Sequence, residues 1–336
     1  MSKPLVSVIM PVKNGGIFFK ACLESFILQK SETIEFELLV VNDHSTDESE
    51  TIAQEYESNY SSITLLQNEG NGIVDALQTG WKSAKGELIS RMDADDLMPP
   101  AKFDHLFEAL LSSENTLATG HASYFASGKA LGEGYKRYEH WLNSLCLTDS
   151  HYNHIYTECP VASPNWLIRR EDFEKVGGFG VGYPEDYDFV FRCRHGGLKI
   201  ASSKQVTHLW RDHDSRASRN DDHYSDNSFL NLKGQWFLKS DYELNRTLVL
   251  VGSGKKGKRL ARQFEKEKTN FVWLTNNQKK VGLKIGESEL VDYESWAFKK
   301  DQQVICAIAS PAEKASLNHR LEQLGLKQGS HYFPFC

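Results

Sequence analysis

The side chains best placed to do chemistry in this sequence are crowded carboxylates. The run Met92-Asp93-Ala94-Asp95-Asp96 puts three of them into four positions. On an extended backbone residues two apart project to the same side, so Asp93 and Asp95 can address one ligand while Asp96 adds a third charge nearby. Such crowding is costly unless a cation or hydrogen bonds compensate it. Hard carboxylate oxygens suit Mg²⁺ or Mn²⁺ bound together with substrate phosphates. A plain acidic turn would carry the same letters, whereas an EF-hand is excluded by the missing glycine and closing glutamate.

Residues 5–10, 36–41, 62–66 and 87–91 are apolar runs bounded by polar or turn-forming residues and read as strands. Helical patterns alternate with them. Leu23, Phe26 and Ile27 form the stripe of a first helix, Ser45 and Glu48 a capping box opening a second that buries Ile52 and Tyr56, and a third covers 72–84. This alternation predicts parallel βαβ units, whose ligands bind beyond the carboxyl ends of the strands. Three strand ends carry polar groups: residues 11–16, 42–47 and 92–96. The acidic triplet therefore sits where a parallel sheet binds ligands. Residues 160–218 look less regular and are expected to form a substrate-side lobe, with closing helices in 223–245.

The chain has 336 residues, about two domains' worth, with globular composition and a formal charge of -6. That balance argues against non-specific nucleic-acid binding. From Arg246 onward, 16 basic residues face 9 acidic ones, so a basic part follows an acidic one. The six cysteines are scattered without metal or disulfide spacing, which fits a cytoplasmic setting. No run approaches a membrane span, so any membrane contact would be peripheral.

LVSVIMPVKNG, ELLVVNDHSTDES, NEGNGIVDALQTGWKSAKGELISRMDADD, GYPEDYDFVFRCRHGG and THLWRDHDSRASR resemble the successive landmarks of the family-2 glycosyltransferases of the GT-A fold, in the family's order over about 220 residues. The resemblance is closest to a branch with a β-1,3-N-acetylglucosaminyltransferase-like protein, which shares a WLN stretch, a Pro-x-Trp region and PED, and ends in a GxGxxG-like domain. It implies an α/β chain: a GT-A nucleotide-diphospho-sugar transferase domain over residues 1–240, then a small Rossmann-like domain over 246–336. It also implies an inverting transfer of a sugar from a UDP-sugar to an acceptor hydroxyl, with Mn²⁺ or Mg²⁺ as cofactor.

By that similarity Pro11 edges the base pocket, Asp43 accepts the uracil N3 hydrogen, and Gly72 permits close approach of the donor. Arg91 and Asp93 contact the donor, Asp93 at the ribose, and Asp95 is the main carboxylate on the metal. Asn42 stands where many relatives have a first Asp. Inversion needs a base for the acceptor's proton. The family pattern assigns it to Asp186, with Glu185 orienting hydroxyls and Asp188 as the alternative base. The same acidic residues would also suit a helix N-terminus. Arg211 matches the position that holds the diphosphate, and His213, spaced before Ser215 and Ser218, the one that completes the metal shell; His208 is the runner-up. Trp166, in SPNW, is expected either to stack on an acceptor sugar or to sit in the core.

Residues 247–251 lead into Gly252-Ser253-Gly254-Lys255-Lys256-Gly257 and a helix to about 267; strands at 271–274 and 304–309 and a helix over 311–324 complete the second domain. Its second strand ends in Thr275-Asn276-Asn277, without the acid that reads a ribose, so NAD use is not expected. Docking or oligomerisation is the leading role for this domain, an anionic ligand near Lys279 and Lys280 the other. The acceptor is a glycan, a lipid-linked glycan or a protein. The rival functions are a sugar-nucleotide sensor without turnover and a two-carboxylate glycoside hydrolase.

Overall fold

The computed structural model describes residues 3–127, 130–214, 216 and 229–335. The chain divides into two compact units, one of residues 1–151 and 160–216, the other of 152–159 and 217–336. Residues 229–240, assigned from sequence to the first part, thus belong with the second.

In the first unit a seven-stranded sheet has the order β3-β2-β1-β4-β6-β5-β7. The strands are β1 Leu5–Val12, β2 Glu35–Asn42, β3 Ile63–Gln67, β4 Leu88–Arg91, β5 Thr116–Ala126, β6 Trp166–Arg169 and β7 Lys199–Asp212. β1 pairs in parallel with both β2 and β4, and β2 with β3. β1 lies centrally, and its Val6, Val8, Ile9 and Met10 are wholly buried, as expected for a strand covered on both faces. Helices α1 Gly16–Ile27, α2 Ser49–Asn59 and α3 Ile73–Ser83 are the crossovers; α4 Lys102–Leu111 follows β4. α1 buries Phe19, Leu23 and Phe26, and α4 Phe103, Leu106 and Leu110, in one apolar cluster with β1 and β2.

Two expectations are corrected. α2 begins at Ser49 without the Ser45 capping box. Ser45 Oγ instead accepts the Asn14 N–H at 3.0 Å, and Asp47 Oδ1 accepts the Ser49 N–H at 3.0 Å. The loops after β1 and β2 are stitched further, Gly15 N–H to Ser49 Oγ and Gly16 N–H to Asp47 Oδ2. The second correction concerns the described part of 160–218, of which residues 166–212 are more regular than their composition suggests. β6 runs antiparallel to β4 and β5, β7 runs parallel to β5, and α6 Arg170–Lys175 and α7 Glu185–His195 lie between β6 and β7. α5 Glu133–Thr148 joins β5 to this part.

The second unit holds a six-stranded sheet of order β10-β11-β9-β8-β12-β13. Its strands are β8 Thr247–Val251, β9 Val272–Thr275, β10 Lys284–Ile285, β11 Ser288–Asp292, β12 Gln302–Cys306 and β13 Tyr332–Pro334. Apart from the β10–β11 hairpin every pairing is parallel. The five parallel strands thus follow the doubly wound order. Its helices are α8 Phe229–Ser240, α9 Lys255–Lys266 and α10 Pro311–Gln323. Gly257 must be glycine, since a Cβ there would lie 1.8 Å from the Gly252 carbonyl oxygen. Lys280 Nζ folds back onto the Ser253 carbonyl at 3.0 Å, and the hydroxyls of Ser253 and Thr275 meet at 2.7 Å. Among the described residues no helix is long and apolar enough to cross a membrane.

Candidate active site

The site forms where β1, β2 and β4 end, together with the far end of β7 and the start of α7. Asp43, one residue past β2, is 3 % exposed. Its carboxylate accepts from Asn68 Nδ2 at 2.6 Å, from the Gly72 N–H at 3.0 Å and from Lys13 Nζ at 3.2 Å. Burial pushes this group up, but those three donors outweigh it and hold it below the usual carboxylate range. Gly72 adopts φ +86° with open space where a Cβ would be, so the backbone stays uncovered beside Asp43. Pro11 lies on the neighbouring β1.

Arg91 closes β4 and is 4 % exposed. Its Nη2 meets Asp93 Oδ1 at 3.0 Å, and its Nη1 meets Glu185 Oε1 at 2.9 Å. Burial works against the guanidinium charge, but Asp93, Glu185 and Asp186 around it keep it protonated. One arginine thus ties the acidic run after β4 to the first turn of α7. Glu185 is committed to this pair. Asp186 is half-buried, accepts the N–H of Tyr187 on Oδ1 at 2.7 Å, and leaves Oδ2 without a partner among the described residues. Burial and the Glu185 charge push it up to about 7, against the pull of Arg91. Asp188, the alternative base, is 8 % exposed and paired with Arg192 Nε at 2.8 Å, so its carboxylate faces inward.

Asp95 Oδ2 and His213 Nε2 stand 2.9 Å apart. The distance is that of a hydrogen bond, and a carboxylate beside an imidazole is also a donor set that Mn²⁺ or Mg²⁺ accepts. Among the described residues no group of three or more His, Cys, Asp or Glu could hold a metal. Arg211 lies between the rings of Phe18 and Phe125, 4.6 Å from each centroid, and its Nε donates to the Asp95 carbonyl at 2.7 Å. Ser215 and Ser218 lie outside the described residues.

Trp166 is a correction. It is 3 % exposed on β6, with Phe189 at 4.9 Å and Phe173 and Phe179 beyond, so no face is left for a sugar. We predict that Trp166→Ala costs about 3–5 kcal/mol in chemical denaturation, as large core truncations do. The residual folded enzyme keeps its acceptor KM; a raised KM without lost stability would return Trp166 to the acceptor side. His208, the runner-up metal ligand, is wholly buried against Asp96 and does not reach the Asp95 pair. Sequence reasoning assigned no role to Lys13 and Asn68, although both lie inside quoted motifs, and missed the Phe18 and Phe125 cradle, of which only Phe18 stands near one.

A doubly wound second sheet, and a first sheet with polar groups gathered at its strand ends, define an α/β class whose ligands bind beyond the carboxyl ends of the strands. Residues 7–177 match the sequence profile of Glycosyl transferase family 2, and the chain belongs to that family. It is 31 % identical over 196 residues to the uncharacterized glycosyltransferase RP339 of Rickettsia prowazekii, a match covering 56 % of this chain and 58 % of that one. The match to this curated relative spans little more than half of the relative's length. The minor teichoic acid biosynthesis protein GgaB of Bacillus subtilis is 29 % identical over 155 residues, 46 % of this chain and 17 % of its own. Among solved structures, residues 1–349 of S. aureus TarS in complex with UDP-GlcNAc align with a TM-score of 0.55 at 17 % identity, covering 83 % of this chain and 76 % of that one. The mannosyltransferase PcManGT of Pyrobaculum calidifontis, in complex with GDP-Man and Mn²⁺, aligns with a TM-score of 0.52 at 20 % identity, covering 72 % and 66 %. These likenesses show the fold, that of GT-A glycosyltransferases with a further C-terminal sheet unit in this chain.

Proposed function

We propose that this protein is an inverting, metal-dependent glycosyltransferase that moves a sugar, N-acetylglucosamine in the favoured case, from a UDP-sugar to an acceptor hydroxyl in glycan or polysaccharide biosynthesis. The observation that carries the reading is the convergence of Asp43, Arg91, Asp93, Asp95, Asp186, Arg211 and His213 at one end of the sheet. The UDP-GlcNAc complex of TarS and the teichoic acid role in the name of GgaB support the donor and setting by analogy.

Asp43 is held ionised by its donors and can accept the uracil N3–H, which cytosine lacks. Asp93, oriented by Arg91, faces the ribose. Asp95 and His213 would hold Mn²⁺ or Mg²⁺, which supplies Lewis-acid stabilisation of the departing diphosphate. The Arg211 guanidinium adds charge stabilisation at the same end. On the α7 side, Asp186 Oδ2 takes the acceptor's proton as its oxygen forms a bond to the anomeric carbon. The bond from that carbon to the diphosphate oxygen breaks, its electron pair leaves with UDP, and the configuration inverts. The hydrolase alternative needs two carboxylates flanking a sugar. Here Glu185 and Asp93 are paired with Arg91, Asp95 with His213 and Asp188 with Arg192, so Asp186 has no unengaged carboxylate to work with.

Calorimetric titration tests this reading. UDP binds more tightly with Mn²⁺ than without it, and UDP-sugar is turned over when acceptor is supplied; UDP binding indifferent to Mn²⁺ would sink the proposal. A pH profile follows from Asp186. A base must be unprotonated, so kcat/KM rises with pH and levels off above about 7, where this carboxyl has lost its proton. A rate already flat from pH 5 upward would show that another group is the base.

A further inference from the structure

Three ionisable side chains of the first unit, Asp96, Lys102 and His208, are wholly buried and lie outside the machinery just described. They stand in one line. Lys102 Nζ donates to the Pro164 carbonyl at 2.7 Å and lies 3.5 Å from His208 Nδ1. His208 Nε2 lies 3.0 Å from Asp96 Oδ2, and Asp96 Oδ1 accepts the backbone N–H of Arg211 at 2.8 Å. An ammonium only donates and a carboxylate only accepts. Two patterns satisfy every member: with Lys102 charged and Asp96 ionised, Nδ1 accepts from Lys102 and Nε2–H donates to Asp96; with both neutral, the Asp96 hydroxyl donates to Nε2 and Nδ1–H donates to the Lys102 amine. The imidazole is neutral in both.

The line connects four separate segments: the start of α4 at Lys102, the stretch before β6 at Pro164, β7 at His208, and the acidic run after β4 at Asp96. Its far end is the Asp95 and His213 pair. Asp96 fixes Arg211 through the backbone, Arg211 Nε returns to the Asp95 carbonyl, and His213 follows two residues on. The nucleoside end is held differently, with Asp43 bound by Lys13, Asn68 and Gly72. A wholly buried line of ionisable groups is a poor source of stability, since apolar side chains of similar volume serve as well or better. Holding register between chain segments is the better account of its presence.

We propose that Lys102, His208 and Asp96 form a positioning relay that sets the diphosphate and metal end of the donor site and leaves the nucleoside end untouched. This rests on the UDP-sugar reading. Residues that orient ligating groups from behind typically change metal affinity by about 10- to 100-fold when lost. The relay therefore predicts a change in the ratio of two affinities, which a general loosening of the fold would not give.

The test titrates the full chain with uridine, with UDP, and with UDP plus Mn²⁺, for wild type, His208→Leu, His208→Gln and Lys102→Met. His208→Leu and Lys102→Met lower the affinity for UDP plus Mn²⁺ relative to that for uridine by about tenfold or more, with uridine affinity within about twofold. His208→Gln, whose amide still donates to Asp96, recovers most of the ratio. Uridine and UDP weakening together, or a ratio that does not move in either disruptive variant, overturns the relay while the donor reading stands. A wild type whose UDP binding ignores Mn²⁺ overturns the donor reading, and the relay with it. Should His208→Leu fail to fold, as a stranded buried charge can cause, Lys102→Met and His208→Gln give the same comparison, with thermal unfolding showing that each is folded.

Discussion

Asp186→Asn abolishes sugar transfer, by about 10³-fold or more, while UDP plus Mn²⁺ binds as tightly as to wild type. General bases are worth about 10²- to 10⁴-fold, and the upper part of that range applies because Asp186 has no deputy. Glu185 is held by Arg91 at 2.9 Å and Asp188 by Arg192 at 2.8 Å. Asn keeps the shape of the carboxyl and can still accept the Tyr187 N–H, so α7 should not shift. Stability supplies an internal control. A carboxyl whose folded pKa lies above its unfolded value binds its proton more tightly in the native state, so its contribution is present at low pH and is lost as pH rises toward 7. The Asn variant, which cannot ionise, should therefore unfold at a higher temperature than wild type at pH 8, with the gap closing toward pH 4. Lost transfer together with gained stability marks a residue kept for chemistry; transfer surviving in the variant would remove the base assignment.

The split between legible and hidden features follows the range of the interactions that create them. β1 to β4 were readable because each is a short apolar run ended by polar residues, and the parallel pairing of β1 with β2 and β4 followed from the helices between them. β5 and β7 were not, because TLATGHASYFA and KIASSKQVTHLWRD mix small and polar residues and become strands by pairing with each other across more than 80 positions. The start of α2 was misplaced for a related reason. Ser45 looked like a helix cap within its own segment, but the β1 loop claims its hydroxyl through Asn14. In the site, carboxylate spacing pointed to Asp93 and Asp95, and the family resemblance to Asp186. The Arg91–Glu185 pair spans 94 positions, and neither residue announces the other. Trp166 was left open between a stacking surface and the core, because the phenylalanines that bury it come from three later segments.

Asp95→Ala lowers transfer by about 10²-fold or more and removes the effect of Mn²⁺ on UDP binding. The cause is the loss of the charged member of the Asp95–His213 pair. A carboxylate is the hard oxygen donor that Mg²⁺ and Mn²⁺ require, while a lone imidazole holds either ion poorly. Charge stabilisation of a leaving group is worth several kcal/mol in a water-excluded site, and loss of one preorganised group commonly costs about 10²- to 10³-fold. His213→Ala should be the milder lesion, with transfer partly restored at higher Mn²⁺, because Asp95 keeps the charge. The fold should tolerate Asp95→Ala well. Asp93, Asp95 and Asp96 crowd one short turn, and burial together with the charges of Asp96 and Asp93 pushes the Asp95 carboxyl up, so the native state holds this carboxylate at a cost. Taking it away relieves that repulsion, and without metal the variant should melt no lower than wild type. The informative comparison is therefore melting with Mn²⁺ and UDP against melting without them. Wild type gains stability from the pair of ligands by mass action, and Asp95→Ala gains only what UDP alone supplies. If the variant keeps the Mn²⁺-dependent gain, the cation is bound elsewhere and the metal assignment at Asp95 and His213 fails.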